Sequence, residues 1–214
     1  MIPKYEYYFN LFILSGVSIN LYEKSVALYI DNTSFTLEEN RINMYTQLGL
    51  VSIHSQFAER QFYSYAYLFD AFGKMDESEI ILKLHDLTND IRLKIRELAD
   101  LDQPYSHFLS ALTYFSNLIP LEQKYIDLVK HAINNRNFLI HHSIIDDPTI
   151  MYDREKILDL TKKAIYCIVL LYQIIYEIEI HFYKAVSSNY PEIGNKLHEL
   201  KDLLSDQFAN ISIK

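Results

Sequence analysis

Leu121-Glu122-Gln123-Lys124-Tyr125-Ile126-Asp127-Leu128-Val129-Lys130-His131-Ala132-Ile133-Asn134-Asn135-Arg136-Asn137-Phe138-Leu139-Ile140-His141-His142 decides the fold of this chain. Apolar side chains at Leu121, Tyr125, Leu128, Val129, Ala132, Leu139 and Ile140 recur at helical spacing, which predicts an amphipathic helix with one face turned to a core. Arg136 falls near the middle of that stripe, in line with Val129 and Ala132. A permanently charged guanidinium in a core-facing row is costly unless it is paired, hydrated in a cleft or facing an anion. Something should therefore meet Arg136.

The end of the stretch is built differently from its beginning. Asn134, Asn135 and Asn137 are mediocre helix formers placed where a helix meant only for packing would use Leu, Ala, Lys or Glu. Downstream, Ser143-Ile144-Ile145-Asp146-Asp147 leads to Pro148, and a residue before proline is pushed out of the α region. The helix is predicted to end close to His142. On an unbroken helix Arg136 and His141 would point about 140° apart, because five steps do not return to the same face. They can cooperate only if the helix frays or bends, or if a second subunit completes the site.

Outward from this stretch, the chain predicts an all-α fold. Four Gly and five Pro against 50 % hydrophobic residues leave little turn chemistry for a many-stranded sheet. Residues 4–30 read as helical and interrupted by Gly16. Thr36 with Glu39 forms a capping-box signature for a long helix to about Phe72, where Gly73 can stop it. A third helix is expected from Glu77 to Leu101, a short fourth from Pro104 to Asn117, and the quoted helix starts at Pro120. A loop from Ser143 to Tyr152 leads into a long helix from Asp153 to Ser187, and a more polar amphipathic helix follows from Pro191 to Gln207. Without repeats, low-complexity tracts or flexible linkers, residues 1–214 read as a single domain.

Composition narrows the chemistry. The single Cys167 excludes an intramolecular disulfide framework and suits a reducing compartment, so the expected location is the cytoplasm. Ala164 to Tyr176 is nearly all apolar but too short to span a bilayer comfortably, and it reads as the central core helix rather than a membrane segment. Phe9 to Ile19 lacks the basic flank and cleavage site of a signal peptide. No Glu-x-x-His, His-Glu-x-x-His, P-loop or Gly-x-Gly-x-x-Gly is present, so no metal and no cofactor are expected. The net charge of −8 argues against a dedicated nucleic-acid scaffold. Lys124, Lys130 and Arg136 nevertheless outnumber Glu122 and Asp127 along the quoted helix, where Lys124 and Lys130 are candidate phosphate contacts.

Arg136, the polar Asn137 beside it, and His141 or His142 after four or five intervening residues form a pattern that resembles the signature of the HEPN domains. These are all-α proteins marked by an Arg, usually a polar residue next to it, and a His after four to six further residues. The resemblance rests on about residues 76–186, with residues 1–73 as an N-terminal helical elaboration, and implies a HEPN-type bundle with extra N-terminal helices. It further implies a metal-independent endoribonuclease of toxin–antitoxin or defence systems, acting on RNA as a homodimer whose site forms where two protomers meet. An antitoxin or defence partner protein would accompany it. His141 would then act as base toward a ribose 2′-hydroxyl, with His142 as the other candidate for that role. Arg136 would stabilise charge on the phosphate, Asn137 would hold the His or a phosphate oxygen, and the product would be a 2′,3′-cyclic phosphate. One toxin group of the family carries a Tyr two residues after the His; here His142-Ser143-Ile144 stands in that region, so control through such a Tyr is not expected. The rival expectation is a catalytically silent helical interaction module in which the pattern is only a structural pairing.

Overall fold

The computed structural model of the protein describes residues 22–24, 26–27, 35–76, 78–80, 83 and 107–194. The described part is about 91 % helical, and no strand occurs among the described residues, as the composition predicts. Its α-helical elements include α1 (Leu37–Phe72), α2 (His107–Leu118), α3 (Gln123–Asn137), the one-turn α4 (Ser143–Asp146) and α5 (Arg154–Asn189). A π-helical turn, Phe138–His142, joins α3 to α4, and a 3-10 turn, Pro148–Tyr152, joins α4 to α5.

The start of α1 is fixed by the residues that predicted it. Thr36 is extended and its hydroxyl accepts from the Glu39 backbone at 3.2 Å, while the Glu39 carboxylate accepts from the Thr36 N–H at 2.7 Å. The helix then buries Asn40, Met44, Gln47, Val51, Ser55, Ala58, Phe62 and Ala66, a spacing of three and four that keeps one stripe inward. At the other end Gly73 follows Phe72 with φ −69°, so the helix stops there without a left-handed residue. An added Cβ at Gly73 would lie 3.3 Å from the Tyr190 hydroxyl, a tight contact that glycine avoids.

α5 is the spine. From Ala164 to Leu171 every residue is buried, as expected of a central core helix. The helix runs well beyond that apolar core, and over its whole length it is long and apolar enough to cross a membrane by length and composition alone. Its most apolar window is 56 % buried inside the molecule. Its largest contact is with α1, which packs in turn against α2. Aromatic side chains carry these contacts: Phe62 meets Phe108 and Phe115 edge-on, each at 5.7 Å between ring centroids, and Tyr65 stacks on Phe182 at 4.6 Å.

Two expectations change. The segment Ser143 to Tyr152, expected as a loop, contains α4 and the 3-10 turn, because Asp147 caps the latter by accepting from the Thr149 backbone N–H at 3.1 Å. The helix expected to end near His142 instead continues through the π turn into α4. Residues 22–24, 26–27, 78–80, 83 and 191–194 are helical where helices were expected. The remainder of the predicted segments 4–30, 77–101 and 191–207, and the start of the fourth helix, lie outside the described residues.

Candidate functional site

α3 is amphipathic as read, with Tyr125, Val129 and Ala132 fully inside. The Tyr125 hydroxyl donates to the Ile174 carbonyl at 2.8 Å and anchors the helix to α5. Arg136 follows on the same stripe and is half-buried, its charge felt by Cys167 of α5. Burial pushes that thiol up to about 12, an effect the guanidinium partly offsets. Arg136 Nη1 donates to Asn137 Oδ1 at 2.8 Å, and its Nε is buried without a hydrogen-bond partner among the described residues. No carboxylate among the described residues lies within ion-pair distance of the guanidinium. Among the described residues, a charge in an apolar row thus bonds only to a neutral amide from its own helix.

The π turn changes the geometry that an unbroken helix would impose. Ser143 N–H bonds to the Phe138 carbonyl, an i→i+5 closure, and His142 absorbs the change of register at φ −119° and ψ −35°. Each π step rotates the chain less than an α step, so the angle between Arg136 and His141 falls from about 140° to roughly 80°. The turn packs against both α1 and α5. His141 is half-buried there, and its imidazole is held below its ordinary value first by burial and then by the charges of Arg136 and His142. Arg136 and His141 are therefore within electrostatic reach of one another, and His141 is biased to the neutral form that can accept a proton.

The other candidates are placed differently. His142 is exposed and points to Asp146, 3.5 Å away. Lys124 is exposed and paired with Glu122 at 2.8 Å, at the far end of α3, about 18 Å along the axis from Arg136. Lys130 is exposed about 9 Å along the axis from it. His131 is tied to Asn135 at 2.8 Å and sits edge-on to the Tyr166 ring. The structure bonds Arg136 to Asn137 and sets His141 within reach of the Arg136 charge, and it leaves the two lysines apart from them.

A cavity of about 370 Å³ opens beside the turn, between Phe138, Ser143 and the start of α5, and takes in neither Arg136 nor His141. Its two lysines are already engaged: Lys156 bonds Asp147 at 2.8 Å and Lys163 bonds Asp159 at 2.7 Å. With Asp146 also on its wall it offers little to a phosphate. On the far side, Arg41 of α1 donates from Nε to the Met151 carbonyl at 2.6 Å, with Tyr152 under its guanidinium, so the segment after the motif is fastened to α1. Sequence reasoning missed both the π turn and this fastening. The weak helix formers at Asn134, Asn135 and Asn137 were the available signal for the first.

Burial sets a pH dependence in the described part. His54, His141 and His181 are all held below the ordinary imidazole value, in each case chiefly by burial. A group with a lowered folded value contributes stability that is fully present above its unfolded value, about 6.5, and is lost as pH falls through the folded one. The urea midpoint is expected to drop between pH 7.5 and pH 5.5, above the range where the lowered carboxyls of Glu39 and Asp147 titrate. Equal midpoints at the two values would contradict it.

No protein-family model, curated protein or solved structure matches the chain.

Proposed function

We propose that the chain is a metal-independent endoribonuclease of the HEPN type, acting as a homodimer in a toxin–antitoxin or defence setting. One juxtaposition carries this: Arg136, with no carboxylate to neutralise it among the described residues, lies across a π turn from a His141 biased toward its neutral form. Neutral His141 takes the proton of a ribose 2′-hydroxyl as its oxygen attacks the adjacent phosphorus, and the 5′-oxygen leaves with a proton from water as a free 5′-hydroxyl, giving a 2′,3′-cyclic phosphate. Arg136 stabilises the charge that builds on the phosphate oxygens, with Asn137 holding its guanidinium in place. His142, directed at Asp146 on the surface, is the less suited base. A second copy laid over the turn would supply the cleft walls that the cavity beside it does not.

The deciding experiment is cleavage of RNA in EDTA. Activity should persist without metal and follow a pH profile set by a His-like group; loss in EDTA with recovery in Mg²⁺ or Mn²⁺ would refute the mechanism. Sedimentation at tens of micromolar should give a dimer, with an interface on the order of 1,200 Å² or more. A monomer there would exclude the composite site. The alternative, a silent interaction module, is favoured by the acidic residues Asp146, Asp147 and Asp159 beside the turn, and it predicts no cleavage under any condition.

A further inference from the structure

In an α-helical register the N–H of Ser143 would bond to the carbonyl four residues back, that of Leu139. In the register found here that N–H goes to Phe138, one residue earlier, and the Leu139 carbonyl loses the donor that the α register would give it. The replacement comes from the same residue: Ser143 Oγ donates to the Leu139 carbonyl at 2.7 Å. Both residues are buried, each 3 % exposed, so water does not serve as the donor. An unpaired carbonyl in such a place is strongly disfavoured.

We propose that Ser143 is a positioning residue: its buried hydroxyl, by donating to the Leu139 carbonyl, holds Phe138–His142 in the π register and so keeps His141 on the side of Arg136. Without the hydroxyl, the way to satisfy Leu139 is to return the Ser143 N–H to it. That step restores the α-helix and swings His141 away from Arg136. The neighbouring elements would permit it: α4 is short, and the exposed Asp146 and His142 need move only into solvent.

The catalytic half of this inference rests on the ribonuclease proposal; the structural half does not, and the test separates them. Ser143→Ala and Ser143→Thr are compared with wild type by NMR titration of the His141 imidazole, assigned by its disappearance in His141→Gln, and by kcat and KM for RNA cleavage. In Ser143→Ala the His141 titration should move up toward the ordinary imidazole range, and kcat should fall about tenfold or more with KM within twofold. Ser143→Thr, which keeps the hydroxyl, should restore both. If Ser143→Ala does not fold, Ser143→Cys, with its weaker donor, serves in its place. An unchanged His141 titration in the folded variant overturns the proposal. If wild type cuts no RNA, the ribonuclease proposal fails and the titration alone decides the role of Ser143.

Discussion

Replacing Arg136 by Ala should lower RNA cleavage by a hundredfold or more, roughly 3 kcal/mol of lost transition-state stabilisation, while leaving the melting temperature unchanged or slightly raised. The two halves have separate causes. Catalysis suffers because an electrostatic clamp acts where charge develops, and Lys should rescue it poorly since a point charge does not reproduce the guanidinium fork. Stability does not suffer because the guanidinium is half-buried, has no carboxylate partner among the described residues and leaves Nε without an acceptor. A structural arginine would behave in the opposite way, with early melting and no activity to lose. Cleavage assays and thermal melts on Arg136→Ala, Arg136→Lys and His141→Ala distinguish the two patterns.

The largest effect on stability is expected from Phe62→Ala, which should cost about 3–5 kcal/mol in urea unfolding. Phe62 is fully buried, and its ring is the hub between α1 and α2, touching Phe108 and Phe115 edge-on. Removing it leaves a hole bounded by two rings that are both held by α2, so the surroundings can collapse only in part. Phe62→Leu should recover much of the loss. A cost below about 1 kcal/mol would mean that the α1–α2 contact adapts far more freely than a packed aromatic cluster does.

The all-α class, the capping box at Thr36 and the buried run of α5 were legible because each depends on neighbours in sequence. A Thr followed three residues later by Glu fixes its own helix start, and an apolar run such as Ala164–Leu171 has nowhere to go but inside. The place of Arg136 in the row of Val129 and Ala132 was legible for the same reason, since α3 is regular up to that point. The relation of Arg136 to His141 was not. Counting at a fixed angle per residue presupposes the α register, and the register here depends on whether Ser143 and Leu139 are buried, which is settled by α1 and α5 rather than by residues 136–143. The ordered segment Ser143–Tyr152 escaped notice similarly, because its fastening to Arg41 spans more than a hundred residues. Lys124 and Lys130 were singled out by composition alone, and composition carries no distance.

One thiol per chain, sealed between helices, amounts to a clock already installed in the molecule. Cys167 is the sole cysteine, it is fully buried, and its ionisation is pushed up to about 12, so an alkylating reagent finds no thiolate to attack in the closed state. Labelling must wait for the packing around α5 to open, and when reclosing outruns the reagent, the observed rate reports the fraction of molecules open at any moment. Mass spectrometry of intact protein after timed exposure would therefore read the breathing of the core around α5, where the charge of Arg136 is felt, with no engineered probe and no activity required.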